Sequence, residues 1–371
     1  MRKRIAIIGA SEPHLPLFLK AKEMGLETYC FAWLNGSFCK DYADHYYDIS
    51  ILEKEKIAEI CQLEKIDGIV SNALEMAVPT VAYVSEKLNL NGISYQTALK
   101  AVNKHMMRDV IKQANACLQP IYHIYHENIE IQEFPIIVKP TDSSCSNGVT
   151  KVNGEEEFLC AIERAKSASK NNEILIEEFI GGREISVESI SHHGKHYVLT
   201  ITDKETTGEP YFVEIAHHQP SNLIDSIQNT IRKSVDSILN ALEIKNGASH
   251  VEFKINDKGE VFFIELGARG GGDFSSYNLV ELSTGYDYVK GMIEVALDEF
   301  RLPNITMNKC AGVFFLSKDT EYVYEFIENN KNQPWVWRYH IDDIPLKQLK
   351  KSQDRSGYII YQSDNRILIR D

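Results

Sequence analysis

The sequence predicts an α/β unit followed by a larger α+β region, and three observations predict it. Strand and helix patterns alternate over residues 1–96, which implies a parallel sheet with its loops facing a cleft. An acidic β-hairpin spans residues 250–273, with apolar alternation on its first arm and an almost unbroken apolar run on its second. The 371 residues are enough for two or three domains, each with a core of its own.

In the first unit, Ile5–Ile8 reads as a strand, Leu15–Met24 as a helix and Glu27–Phe31 as a second strand. Lys54–Leu63 is a further helix and Gly68–Ser71 a short buried strand. The turn Gly9-Ala10-Ser11-Glu12-Pro13 lacks the GxGxxG fingerprint, so no nicotinamide or flavin cofactor is expected there. Thr97–Gln113 reads as one helix carrying Lys104. A strand Ile136–Pro140 follows, then a polar loop Thr141–Gly148, a helix Glu155–Ala168 and a strand Glu173–Ile180. Glu184–Ser191 and Lys195–Ile201 look antiparallel, Ile227–Leu242 is an amphipathic helix, and Tyr286–Leu297 is another helix after the hairpin. Residues from 303 onward read as a small mixed tail of short strands.

Composition narrows the function. Forty Lys+Arg against 53 Asp+Glu give a net charge of −13, which argues against general affinity for nucleic acid or anionic membrane. The apolar run at the N-terminus breaks at Gly9, so it reads as a strand rather than a signal peptide, and no stretch approaches a membrane span. Seven scattered cysteines without a CxxC pair fit a reduced, cytoplasmic protein with neither a disulfide framework nor a zinc site.

The hairpin carries the clearest chemistry. With Asn256-Asp257-Lys258-Gly259 as the turn, Glu252 is expected opposite Phe263, and Glu265 then becomes its diagonal neighbour on the same face. Two converging carboxylates among apolar neighbours suit a hard cation such as Mg²⁺. Ion pairing with Lys254 or Arg269, or simple exposure, is the alternative reading.

In chain order there is a helix lysine, a strand-end Lys139-Pro140 with a Ser-rich loop, the run Glu177-Glu178-Phe179-Ile180-Gly181-Gly182-Arg183-Glu184, and the hairpin ending in Glu265-x-x-x-Arg269-Gly-Gly-Gly. This order and spacing resembles the ATP-grasp superfamily, specifically its carboxylate–amine ligases, over nearly the whole chain. The resemblance implies an ATP-grasp fold with a Rossmann-like N-terminal preATP-grasp unit (1–96). Two grasp subdomains (97–175 and 176–302) and a small C-terminal module (303–371) would complete it.

It implies roles as well. Lys104 and Lys139 match the lysines that hold nucleotide phosphates, a task suited to a compact ammonium. Asp142–Gly148 matches the loop closing over the triphosphate, where Ser143, Ser144, Ser146 and Gly148 would cradle oxygens. Cys145 reads as a small loop residue. Glu177, Glu178, Phe179 and Ile180 match the segment linking the two grasp subdomains, whose backbone reads the adenine edge, and Glu184 the acid that accepts from the ribose hydroxyls. Glu252 and Glu265 match the metal carboxylates. Gly267 stands where many relatives carry an Asn ligand, so water or substrate would fill that place. Arg269 would face a substrate carboxylate or developing acyl-phosphate charge.

The stretch from Thr202 to Pro220 is similar to one lining the substrate pocket of bacterial L-amino-acid ligases. There Glu214 would bind an ammonium and His217 a carboxylate or carbonyl, with an exposed strand end as the alternative. His217 and His218 point to opposite faces, so only one can serve. Glu75 is placed to reach the same cleft. The function implied is an ATP-dependent ligase using ATP and Mg²⁺ (or Mn²⁺) to join a small carboxylate and an amine through an acyl phosphate. The family is compatible with a homodimer through the N-terminal unit. Two alternatives stay open: a purine-synthesis-type enzyme acting on formate or bicarbonate and a ribotide amine, and a non-catalytic nucleotide-binding regulator. The ribotide reading needs a basic phosphate site, and no compact Arg/Lys cluster is expected. Biotin-dependent carboxylation is disfavoured by the lack of a Met-Lys-Met carrier sequence.

Overall fold

A computed structural model describes residues 2–144 and 146–369. The first sheet is parallel, with strand order β3-β2-β1-β4. It is built from β1 (Arg4–Ile8), α1 (Leu15–Glu23), β2 (Glu27–Ala32), β3 (His45–Asp48), α2 (Lys54–Leu63), β4 (Gly68–Val70) and α3 (Val78–Leu88). Alternation along β1 gives each face a core of its own. Ile5 and Ile7 pack with α1, while Ala6 and Ile8 pack with Ile57, Ala58 and Cys61 of α2.

The single helix expected over Thr97–Gln113 is two, α4 (Tyr95–Ala101) and α5 (Lys104–Ala114). The break has a capping cause: the Asn103 side chain accepts from the Met106 N–H at 2.9 Å and restarts the helix. Lys104 therefore sits in the first turn of α5 instead of mid-helix.

A second, antiparallel sheet follows in the order β5-β8-β6-β7. Its members are β5 (Tyr122–Ile124), β6 (Ile136–Pro140), β7 (Thr150–Val152) and β8 (Ile174–Glu178), with α6 (Glu155–Ala168) packed on one face through Ala161, Ile162 and Ala165.

The third sheet has eight strands in the order β13-β12-β9-β10-β11-β14-β16-β15. In chain order its region contains β9 (Arg183–His192), β10 (Lys195–Thr206), β11 (Glu214–Gln219), α7 (Asp225–Ala241), β12 (Gly247–Ile255), β13 (Val261–Gly267), α8 (Val280–Thr284) and α9 (Tyr288–Ala296). β14 (Cys310–Leu316), α10 (Tyr322–Asn330), β15 (Val336–Ile341) and β16 (Gly357–Ser363) complete it. The tail from residue 303 thus adds β14, β15 and β16 to the sheet that begins at β9. One face of β9, β12 and β13 buries Ile185, Val187, Val251, Phe253 and Phe263 against Ile231, Val235 and Ile238 of α7. The even-numbered residues of β9 and β12 face the other way. α9 closes the architecture: Val289, Met292 and Ile293 join the core formed by Ile5, Ile7 and α1.

Candidate active site

The polar face of the third sheet is the wall of a cleft of about 350 Å³. Strand register puts charged groups on it in cross-sheet rows. Lys254, Glu184, Lys204 and His217 are successive partners across β12, β9, β10 and β11. Beside that row, Glu265 and Glu252 are direct partners across β13 and β12.

That pairing corrects the expected register. Phe253 lies opposite Phe263, and a β-bulge between Glu252 and Phe253 leaves Ile264 as the extra residue, so Glu252 faces Glu265 and not Phe263. Two acids directly opposite repel unless compensated. Lys204 donates to Glu252 at 2.8 Å, His250 lies 3.2 Å from it, and Lys104 pairs with Glu265 at 2.9 Å. The expected partners Lys254 and Arg269 bind elsewhere. Lys254 pairs with Glu184 at 3.1 Å, and Arg269 Nε donates to Glu75 at 3.0 Å.

The Glu75–Arg269 pair explains Gly267. A Cβ there would lie 3.0 Å from the Arg269 guanidinium carbon and 3.1 Å from Glu75 Oε2. The space of an Asn side chain is taken by this ion pair, and the N-terminal unit thereby contributes an acid to the cleft. Burial holds the Glu75 carboxyl above its ordinary range against the pull of Arg269.

Of the sequence-selected residues, Lys104, Lys139, Ser143, Ser144, Ser146, Glu177, Glu178, Phe179, Ile180, Glu184, Glu214, His217, Glu252, Glu265 and Arg269 all line the cleft. Gly148 is not among its lining residues. It turns the loop at φ +79°, where an added Cβ would meet Ala168 at 2.6 Å. Cys145 lies outside the described residues. Lys104 Nζ also donates to the Ser143 carbonyl at 2.6 Å, tying the loop to the hairpin.

Two of these side chains have unexpected surroundings. Glu177, selected for an adenine-reading segment, points its carboxylate inward between Arg108 (2.6 Å) and Lys139 (2.5 Å). Burial would raise its pKa, but the two cations win and hold it at about 2. For Lys139 burial outweighs Glu177 and pushes the ammonium below its ordinary value. His217 is buried, and neither of its ring nitrogens has a hydrogen-bond partner within the protein. Burial lowers it to about 3, leaving a neutral imidazole on the cleft wall. His218, on the opposite face, is paired with Tyr361 and Glu205.

Sequence reading missed several groups. Lys204 bridges Glu252 and Glu214 (3.1 Å). His250 joins Glu252 to Glu188, whose carboxylate also accepts from the Gly271 N–H (3.1 Å) and Ser275 (3.2 Å). Gly271 permits this approach, because a Cβ would fall 2.5 Å from both Glu188 Oε1 and His250 Nδ1. Burial alone would lower His250, but the two glutamates raise it to about 9. From the tail, Arg355 reaches Asp273 (2.8 Å) and Glu214 (3.4 Å). Spacing gives no sign of that contact. Charged residues two apart on an apolar-alternating strand, as at His250 and Glu252, are a usable signal for the others.

From the tail, Ser352 and Gln353 also line the cleft, whereas Lys347, Lys350, Lys351 and Arg355 are not among its lining residues.

The donor set fits a divalent hard cation at Glu252 and Glu265, where ammonium groups compensate the carboxylates. His250→Asn keeps a donor near Glu188 and loses the contact to Glu252. It is expected to weaken Mg²⁺ binding about tenfold. A Mg²⁺ titration followed by calorimetry checks this, and an unchanged midpoint would separate His250 from the acidic pair.

Comparison with known proteins finds a family and a shared fold. Residues 132–277 match the family model described as "ATP-grasp domain". A formate-dependent phosphoribosylglycinamide formyltransferase of Prochlorococcus marinus (strain MIT 9515) is 25% identical over 289 residues, 72% of this chain and 70% of that protein. An alanine–anticapsin ligase of Bacillus subtilis is 28% identical over 255 residues, 61% of this chain and 52% of that protein. The chain thus spans about half the length of that ligase. Among solved structures, an L-amino acid ligase from Bacillus licheniformis shares the fold with a TM-score of 0.81 at 24% identity, covering 98% of this chain and 94% of the other.

Proposed function

Starting from the membership of this chain in the ATP-grasp superfamily, among its carboxylate–amine ligases, we propose that it joins a small carboxylate to an amine at the expense of ATP, through an acyl phosphate. One observation carries the reading. The two acids of the hairpin meet directly on the wall of a cleft that Lys104, Lys139, Arg269, Glu214 and His217 also line.

In this reading Glu252 and Glu265 would hold Mg²⁺, and the ion would supply charge neutralisation to the phosphates. Lys104 and Lys139 bind phosphates, with Ser143, Ser144 and Ser146 covering them. Glu178, Phe179 and Ile180 line the base, and Glu184 accepts from the ribose. A substrate carboxylate oxygen attacks the γ-phosphorus as the bond to ADP breaks. The amine then attacks the acyl carbon, inorganic phosphate leaves, and the amine loses a proton. Under this reading Arg269 would meet the negative charge of the carboxylate and the leaving phosphate, and Glu214 would receive an ammonium in competition with Lys204 and Arg355. Positioning and charge neutralisation supply the catalysis without a protein nucleophile.

The test is ADP and phosphate release from Mg-ATP, screened against single and paired amino acids and other small carboxylates. Release that requires one acid–amine pair is the expected result. Tight ATP binding with no release on any substrate would move the assignment to a nucleotide-binding regulator.

The similarity to a formate-dependent phosphoribosylglycinamide formyltransferase favours one second reading, an enzyme of the purine-synthesis type that takes formate or bicarbonate and a ribotide amine. The same screen separates the two, since that reading requires release with formate or bicarbonate plus a phosphorylated amine. His217→Phe keeps the edge contact with Phe315 and removes both ring nitrogens. Under the ligase reading it should raise KM for the amine-side or acid-side substrate about tenfold, the worth of one buried hydrogen bond, and leave KM for ATP unchanged.

A further inference from the structure

Away from the cleft, the turn of the β9–β10 hairpin meets Asp298, two residues beyond the C-terminal end of α9. His192 Nε2 and His193 Nε2 each lie 2.9 Å from the same atom, Asp298 Oδ1. The two imidazole rings stand 3.9 Å apart, and the three ligand atoms are all within 4.8 Å of one another. As an ion-pair cluster this arrangement is poorly balanced. One carboxylate oxygen serves two imidazoles, and charging both rings would set two cations side by side.

From this geometry we infer a second metal site, formed by His192, His193 and Asp298, for a borderline divalent transition ion such as Zn²⁺. Two imidazoles and one carboxylate are the ligand set that imidazole-preferring metals take, and Mg²⁺ does not select it. Two ligands ~2.1 Å from one tetrahedral ion lie about 3.4 Å apart, so each 2.9 Å contact would open by only about 0.5 Å to admit it.

The carriers of these ligands are held in place. His193 and Gly194 form the turn with φ +49° and +76°. Asn246 accepts from the His193 N–H at 2.8 Å, and the Lys245 carbonyl from the Gly194 N–H at 2.9 Å. The His192 ring packs on Phe300 at 5.1 Å. Asp298 follows α9, where the carbonyl end of the helix dipole favours a cation. His193 and Asp298 are exposed, which gives an ion a way in and leaves its remaining positions to water. A bound ion would cross-link the hairpin to α9, and so to the first sheet on which α9 packs.

The experiment uses untagged, chelator-stripped full-length protein in excess Mg²⁺, so that the acidic cleft is occupied by the harder ion. Zn²⁺ is titrated by calorimetry against wild type, His193→Asn and Asp298→Asn. Asn tolerates the left-handed backbone at both positions, which keeps the turn and the helix end intact. Wild type should bind one equivalent of Zn²⁺ that each variant binds at least tenfold more weakly, a loss typical of removing a metal ligand contact. Zn²⁺ should also raise the Tm of wild type and not that of His193→Asn. Superimposable isotherms for wild type and both folded variants would overturn the site and leave the cluster as a surface ion pair.

Discussion

Glu265→Gln should leave the fold in place and lower Mg-ATP-dependent ADP release by about a hundredfold or more, because a metal carboxylate supplies several kcal/mol of transition-state charge stabilisation. Gln keeps the size of Glu, an oxygen for Lys104 and the place opposite Glu252 on the hairpin. What it loses is the charge. Lys104 would remain buried with the Ser143 carbonyl and without its carboxylate, so some loss of stability is expected alongside the loss of turnover. The two effects separate by measurement. A folded variant, judged by its thermal transition, that turns over ATP at nearly the wild-type rate would remove the hairpin from the metal site. A variant inactive only because it is unfolded would leave the question to Glu252→Gln, whose charge is balanced by Lys204 and His250 instead.

How much of this was legible in the sequence depended on distance along the chain. Apolar periodicity placed β1, α2 and α6 within a residue, because each element reports its own buried face, and found the hairpin but started its first arm three residues late. The break between α4 and α5 was missed although Asn103 is a capping residue, since apolar spacing runs across it. The hairpin register was off because a bulge adds Ile264 to one strand, and no residue type there announces it. Side-chain neighbours can be read where two groups share a strand, as His250 and Glu252 do, and cannot where topology alone brings them together. Glu184, Lys204 and His217 are neighbours only after β9, β10 and β11 pair. Arg355 reaches Glu214 across 141 residues of chain, and Arg108 reaches Glu177 across 69. Local reading had assigned Glu177 to the adenine segment. The partner that turns its carboxylate inward sits on a different element.

That inward carboxylate gives the second large effect. Glu177→Gln should cost about 3–5 kcal/mol of stability, because it leaves two buried cations without their shared counter-charge. Arg108 is 1% exposed and Lys139 5%, so water cannot replace the lost partner. The loss should also depend on pH, and the sign is fixed. A carboxyl held at about 2 when folded, against 4.5 as the ordinary value, contributes its stability above the ordinary value and loses it as pH falls through about 2. The margin of wild type over the Gln variant should therefore be flat near neutrality, shrink below about pH 4.5 and be nearly gone near pH 2. Urea midpoints at pH 7, 4 and 3 read it directly. Glu178→Gln is the control: its neighbouring carboxylate is exposed, and the substitution should change stability by about 0.5 kcal/mol or less. Function should follow the same charge. Burial already pushes the Lys139 ammonium down, and without Glu177 it loses its proton more easily, so ATP affinity should fall as pH rises. Equal midpoints for wild type and Glu177→Gln at pH 7 would mean that the Arg108–Glu177–Lys139 cluster is not what holds the second sheet to α5.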